Sequence, residues 1–212
     1  MIGGRSLPIS ELAADVRSIM EAEGLDQAHI VAFGWSAAIA LQLAARSPER
    51  VISLVLVTPN IPALIADLPV DEARQYGAAQ TDLIRDASAA AYKGLTDRAL
   101  DLYQGIRWGS DWRDHLTKPR LGAIRRAAAN LAPLLDGMAP EQLDREALGH
   151  VVAPVTIFLR EASPAFERWN AEALALAIPQ SSVQTAAISG DDAARSTITP
   201  EWAPVLLRLL AK

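Results

Sequence analysis

The sequence contains no cysteine and only three histidines. The absence of cysteine excludes disulfide bonds and thiolate-ligated metal sites, and it indicates no particular redox compartment. No uninterrupted apolar run approaches the length of a membrane span. The first ten residues, MIGGRSLPIS, lack the apolar segment of a signal peptide. These absences predict a cytoplasmic protein that does not contact a membrane.

Charge and motif content exclude several further classes of protein. The formal net charge is −5 and the sequence has no basic cluster, so nucleic acid is not an expected partner. No glycine-rich phosphate loop occurs and no His, Asp or Glu cluster has metal-ligand spacing, so we expect neither a cofactor nor a metal. A length of 212 residues suits one domain with or without an inserted cap, and half of the residues are hydrophobic, which is ample for a sizeable core. Together with the motif described next, these exclusions leave a small-molecule ligand or substrate as the expected partner.

Residues 28–59 form the stretch around which the chain is organised. An apolar run, His29–Phe33, has the length and composition of a buried strand, and Ile39–Ala45 follows at helical spacing. Val51–Val57 is a second apolar run. Between the first strand and the helix lies Gly34-Trp35-Ser36-Ala37-Ala38, which is typical of a nucleophile elbow with the pattern G-x-S-x-G, although alanine replaces its last glycine.

This pattern makes Ser36 the candidate nucleophile. We expect Ser36 to lie on a sharp turn with a strained backbone and to project from the carboxyl edge of the sheet. The amide of Ala37, at the helix N-terminus, is the candidate oxyanion donor. The alternative is an ordinary strand-helix-strand crossover in which the serine has no chemical role.

The stretch from Glu11 through Pro59, together with the segment from Ala153 onward, resembles the α/β-hydrolase superfamily. The residues Ser163-Pro164-Ala165-Phe166-Glu167-Arg168 are similar to a helix start found in small esterase-like members. The resemblance implies an α/β fold: a mostly parallel sheet of about four strands, flanked by helices, with a helical cap. It divides the chain into a first core part (1–60), the cap (61–149) and a last core part (150–212).

Local patterns place the other elements of this fold. Ser10 is a candidate N-cap of the first helix, and Thr199 is a candidate N-cap of the last. The remaining patterns predict helices over 71–92, 96–106, 120–135 and 164–177, and strands over 151–159 and 183–188.

The resemblance also implies a catalytic histidine and an acid, and neither is evident. The position expected for the histidine falls at Asp192 or Ala193. Near the expected position of the acid, the only carboxylate is Glu161. Asp192 is a poor base for a hydroxyl because an ordinary aspartate has a pKa of about 4.

The three histidines lie in unsuitable places or in the cap. His29 precedes Ser36 by seven residues, which is about 20 Å of extended strand, and His150 also precedes a strand. His115, in the cap, could reach the site or could be a solvated surface residue. Three tryptophans are either walls of a ligand site or packing residues: Trp35, Trp108 and Trp112.

Three functions stay open at this point. The first is hydrolysis of a small carboxylic ester, thioester or lactone by Ser36, helped by Glu161, Asp192 or His115. The second is a non-catalytic ligand-binding or interaction module. The third is an enzyme whose reaction needs no triad. Because the strands that normally flank the elbow strand have no counterpart, we also expect a homodimer or a partner that supplies a strand.

Overall fold

The structure is a computed structural model that describes residues 7–114, 116–139, 144–161, 163–186 and 202–210, without the side chains of 106–108, 186, 202 and 209. Its sheet has the order β1-β2-β3-β4, and each neighbouring pair is parallel. The strands are β1 (Ala28–Phe33), β2 (Val51–Val57), β3 (Val155–Arg160) and β4 (Ser181–Ala186).

Helices connect and cover these strands. They are α1 (Ile9–Ala22), α2 (Ser36–Arg46), α3 (Pro62–Ile65), α4 (Asp71–Tyr92), α5 (Thr96–Trp108), α6 (Lys118–Ala127), α7 (Leu131–Gly137), α8 (Arg145–Leu148), α9 (Ala165–Ala177) and α10 (Trp202–Leu210). Parallel pairing requires crossover connections, and α2 supplies the one between β1 and β2. The predicted α/β fold with a parallel sheet of about four strands is confirmed.

Two predicted strands have shifted boundaries. β3 begins at Val155, four residues later than predicted, since Pro154 has no N–H to donate to a ladder. The carbonyl of Pro154 still accepts from the Leu54 amide at 2.9 Å. β4 begins at Ser181, two residues earlier than predicted, and its predicted end at 187–188 lies outside the described residues.

Among the helices, the prediction for 71–92 is confirmed and two others need correction. The predicted helix over 120–135 is divided into α6 and α7 by a 3₁₀ turn at Ala128–Asn130. Ser10 is not an N-cap: α1 begins one residue earlier, at Ile9, and Pro8 precedes it. Proline is favourable there because its missing N–H would have no helical partner. Thr199 lies outside the described residues.

Two apolar clusters pack against Trp35, and a third joins β2, β3 and α10 through Val55, Val57, Phe158 and Leu206. The main cluster joins α1, α2 and the sheet, and α3 and the start of α4 also pack on it. A second cluster, here called the cap cluster, takes its buried members from residues 84–138. Trp35 is partly buried and packs against both clusters. The elbow is therefore placed where the two clusters meet, while the predicted division at 60/61 and 149/150 stays a prediction.

Among the described residues, β2 is the only sheet neighbour of β1, so the elbow strand lies at an edge. An unpaired edge is a surface on which another strand can pair. The predicted homodimer or strand-supplying partner is not tested by a single chain and stays a prediction. No described helix combines the length and the apolar character needed to cross a membrane.

Candidate active site

The turn between β1 and α2 bends at Gly34. β1 ends at Phe33 and α2 begins at Ser36, and Gly34 has a φ of +58°. A left-handed φ is available to glycine at little cost because it has no Cβ. Gly34 also ends the strand pairing, since its amide donates to the Val57 carbonyl at 3.0 Å.

The carbonyl of Gly34 is held from two sides. It accepts from the Ala37 amide at 3.3 Å and from the Asn60 amide at 3.1 Å. The Ala37 amide, predicted to be the oxyanion donor, is therefore already engaged. The described residues offer no hydrogen-bond acceptor to the Trp35 amide, which is one position after the left-handed residue.

Ser36 does not carry the backbone strain that the sequence predicts for it. It is the first residue of α2, and Thr58 is the only described residue other than glycine with a positive φ. The prediction placed the sharp turn two residues too late, because the glycine that directly follows the strand absorbs the turn. In a nucleophile elbow the residue on the strained turn presents the nucleophile. That position is occupied here by Gly34, which has no side chain.

The hydroxyl of Ser36 is bonded to the end of the strand. It donates to the Phe33 carbonyl at 2.9 Å and accepts from the Phe33 amide at 3.0 Å. Ser36 is nevertheless solvent-exposed. Within the described part of the chain, these are the hydrogen bonds that its hydroxyl makes.

The two described histidines lie away from Ser36. The Nδ1 atom of His29 is 2.7 Å from Ser53 Oγ, toward the amino ends of β1 and β2. His150 is exposed and lies two residues after the end of α8. The prediction that no histidine contacts Ser36 holds for both. His115 and Asp192 lie outside the described residues, so their predicted roles stay predictions.

A buried ion pair, rather than Glu161, occupies the turn between β3 and α9. Glu161 is exposed directly after β3. Glu167 in α9 is 4% exposed, and both of its carboxylate oxygens lie 3.3 Å from Arg160 Nη2. Ser163 Oγ donates to Glu167 Oε2 at 2.6 Å and accepts from the Arg160 amide at 3.1 Å. This network fixes the start of α9.

Sequence reasoning missed Glu167 as a buried group. The available signal was an acidic residue in the first turn of a helix that directly follows a strand. Asn170, one turn later, is fully buried, and its Oδ1 accepts from the Ile61 amide at 2.6 Å. It ties α9 to the loop after β2.

Among the predicted tryptophans, the structure describes the side chains of Trp35 and Trp112. Trp112 is 2% exposed within the cap cluster, and its Nε1 donates to Asp101 Oδ1 at 3.0 Å. The Arg113 guanidinium covers the ring at 4.5 Å from its centroid. The Trp108 side chain lies outside the described part. The contacts of Trp112 fit a packing residue. Trp35 packs against both the main cluster and the cap cluster, and its two interpretations stay open.

Metal ligands are not gathered at this site or elsewhere in the part of the chain that the structure describes, since no group of three His, Asp or Glu side chains could hold an ion. The prediction that the protein uses neither metal nor cofactor is not tested by this observation and stays a prediction.

A parallel sheet, a sharp strand-to-helix turn and a helical cover are typical of α/β hydrolases. A family model described as the alpha/beta hydrolase fold matches residues 5–192, and the chain belongs to this family. No curated protein matches the chain.

Solved structures agree with this fold. The enol-lactonase from Burkholderia xenovorans LB400 is 16% identical with a TM-score of 0.64, and the match covers 99% of this chain and 76% of that one. The epoxide hydrolase from Bacillus megaterium is 19% identical with a TM-score of 0.65, over 97% of this chain and 76% of that one. A structure reported with carboxylesterases of Nitrososphaera gargenis is 13% identical with a TM-score of 0.56, and the match covers 99% of this chain and 74% of that one. At these identities the likeness shows the fold alone.

Proposed function

We propose that this chain is a member of the α/β-hydrolase family that binds a small carbonyl compound, an ester, thioester or lactone, without hydrolysing it through Ser36. The observation that carries the proposal is the position of the left-handed turn. The residue at the corner of the elbow is Gly34, which offers no nucleophile.

The contacts of Ser36 support the same proposal. A serine nucleophile needs a base within hydrogen-bond reach that takes its proton. The Ser36 hydroxyl instead donates its proton to a main-chain carbonyl of the preceding strand. Carbonyl oxygens do not act as general bases at neutral pH, so this hydrogen bond does not activate the hydroxyl.

Binding, in contrast, needs no nucleophile. The Trp35 amide is free of described acceptors at the start of α2, where the helix dipole favours a partly negative oxygen. The ring of Trp35 lies between the main cluster and the cap cluster. A ligand carbonyl oxygen at the Trp35 amide, with its apolar part toward the cap, is the arrangement that we propose.

Hydrolysis by Ser36 is the second candidate, and one observation favours it: Ser36 is exposed at the elbow. The two candidates predict different rates of ester hydrolysis. With 4-nitrophenyl acetate and butyrate, we expect wild type and Ser36→Ala to give the same rate as buffer. A wild-type rate at least tenfold above that of Ser36→Ala would overturn the proposal.

The binding part is tested by thermal unfolding with the same esters and with small lactones, since a ligand of the native state raises the unfolding midpoint. We expect a saturable rise for at least one compound, unchanged in Ser36→Ala and reduced in Trp35→Ala. The absence of a rise across all compounds at millimolar concentration would contradict ligand binding while leaving the absence of hydrolysis intact.

A further inference from the structure

A cavity lies between α1 and α2, away from the elbow. It is partly open to solvent and has a volume of about 220 Å³. On α1 it is lined at helical spacing by Ser10, two alanines and Arg17, and the last turn of α2 contributes Gln42 and Arg46. The small alanine side chains leave the space open. Gln42 and Arg46 are six and ten residues beyond Ser36, so the cavity lies about 9 to 15 Å along α2 from the elbow.

The lining of the cavity is cationic. Arg17 and Arg46 both border it, and no carboxylate does. Their acidic neighbours are at long distances: Arg17 Nε is 3.8 Å from Glu21 Oε1, and Arg46 Nη2 is 4.0 Å from Asp144 Oδ2. Exposed pairs of this kind are weak. Each guanidinium has five N–H donors, so both retain donors for a ligand in the cavity.

A buried amide adds an independent observation. Gln42 is 4% exposed, and its Nε2 atom has no hydrogen-bond partner among the described residues. A buried donor without an acceptor is unfavourable, so such groups in folded proteins usually have a partner. Gln42 lines the cavity, and the terminal torsion of glutamine is broad, so the amide can rotate to meet a ligand there. An acceptor oxygen in the cavity would then satisfy this amide.

We propose that this cavity binds the phosphoryl group of a small phosphate monoester. A dianionic phosphoryl group matches the two arginine charges and presents several acceptor oxygens to planar guanidinium donors. The hydroxyls of Ser10 and Ser47 on the lining add further donors. A volume of about 220 Å³ holds this group with a small substituent and is below the range of drug-sized sites.

The test measures the affinity of the full chain for inorganic phosphate by equilibrium dialysis, with chloride at matched ionic strength. We expect saturable binding at one site per chain. Arg17→Gln and Arg46→Gln are each expected to weaken it about tenfold or more, since each removes a charge-assisted hydrogen bond. Gln42→Leu is expected to weaken it less. If Gln42→Leu fails to fold, the two exposed arginines still decide the outcome.

The control variants are Arg74→Gln and Arg85→Gln, which remove exposed arginines of α4 and are expected to leave binding unchanged. Equal losses in control and cavity variants, or no saturable binding, would overturn the proposal and leave water as the partner of Gln42. Acetate binding as tightly as phosphate would overturn the phosphoryl assignment. Ser36→Ala is expected to leave phosphate affinity unchanged, which separates this site from the elbow.

Discussion

Two turns in the described part of the chain lead from a strand into a helix and carry a serine three residues after the last strand residue. In the first, the amide of Phe33 donates to Ser36 Oγ at 3.0 Å. In the second, the amide of Arg160 donates to Ser163 Oγ at 3.1 Å. Ser163 is 3% exposed, and its hydroxyl donates a hydrogen bond to the Glu167 carboxylate. Ser36 is exposed, and its hydroxyl donates a hydrogen bond to the Phe33 carbonyl.

The comparison teaches that a serine at this position closes the end of a strand. Ser163 does so in the interior as part of an ion-pair network, and Ser36 does so at the surface. The shared hydrogen bond identifies a structural role for Ser36 that needs no catalytic explanation. The difference between the turns lies in their burial, and burial predicts how much each serine contributes to stability.

The largest expected effect comes from Glu167→Gln. The Arg160 and Glu167 side chains are 14% and 5% exposed, and removing one partner of a buried pair leaves the other charge unpaired. We expect the free energy of unfolding to fall by about 3 kcal/mol, measured by urea denaturation. Glu161→Gln, at the exposed neighbouring position, is the control and should change it by less than about 0.5 kcal/mol. Equally small losses of stability in Glu167→Gln and Glu161→Gln would show that the Arg160–Glu167 pair does not stabilise the second turn.

Ser163→Ala should have the next largest effect. It removes the acceptor of the Arg160 amide and one donor to Glu167 in a place that water reaches poorly. We expect a loss of about 2 kcal/mol, again by urea denaturation. A loss below that of Ser36→Ala would reverse the burial argument.

Gly34→Ala tests the corner of the first turn. An alanine forced into a left-handed φ costs about 1–2 kcal/mol. Gly24 is a suitable control because it has a φ of +70° and open space around an added Cβ, so Gly24→Ala reports the backbone cost alone. We expect Gly34→Ala to destabilise at least as much as Gly24→Ala. An unchanged or higher unfolding midpoint for Gly34→Ala would contradict the left-handed turn.

Ser36→Ala should have the smallest effect of the four. Water can replace the hydroxyl at this exposed position, so we expect a loss of about 0.5–1 kcal/mol. Ser36→Thr, which retains a hydroxyl, is the matched variant and should recover part of the loss. A stability gain on removing the hydroxyl would indicate that Ser36 is strained and would argue for a functional role.

The sequence predicted the strand, turn and helix around residue 34 because apolar runs and their spacing are local properties. It did not predict which residue forms the corner. The segment Gly34-Trp35-Ser36 fits the elbow pattern with the serine at the corner, and it also fits a strand that ends at Phe33 with glycine at the corner. The pairing of the Gly34 amide with Val57 selects the second register, and that contact joins residues 23 positions apart.

The buried pair was outside the reach of sequence reasoning for a similar reason. Glu167 lies on a helix whose charged residues would ordinarily face solvent. Its burial depends on Arg160, which arrives from β3, and on the packing of α9 against the sheet. The positions of Asp192 and His115 relative to the elbow likewise depend on long-range contacts, and both stay predictions.

The central claim is that Ser36 closes the strand and is not a nucleophile. A fluorophosphonate probe tests it most directly, because the probe forms a covalent adduct with activated serines. Intact-mass measurement and peptide mapping of the folded wild-type chain should show no adduct at Ser36 under conditions that label an active serine hydrolase completely. A stoichiometric adduct mapped to Ser36, absent from Ser36→Ala, would contradict the account.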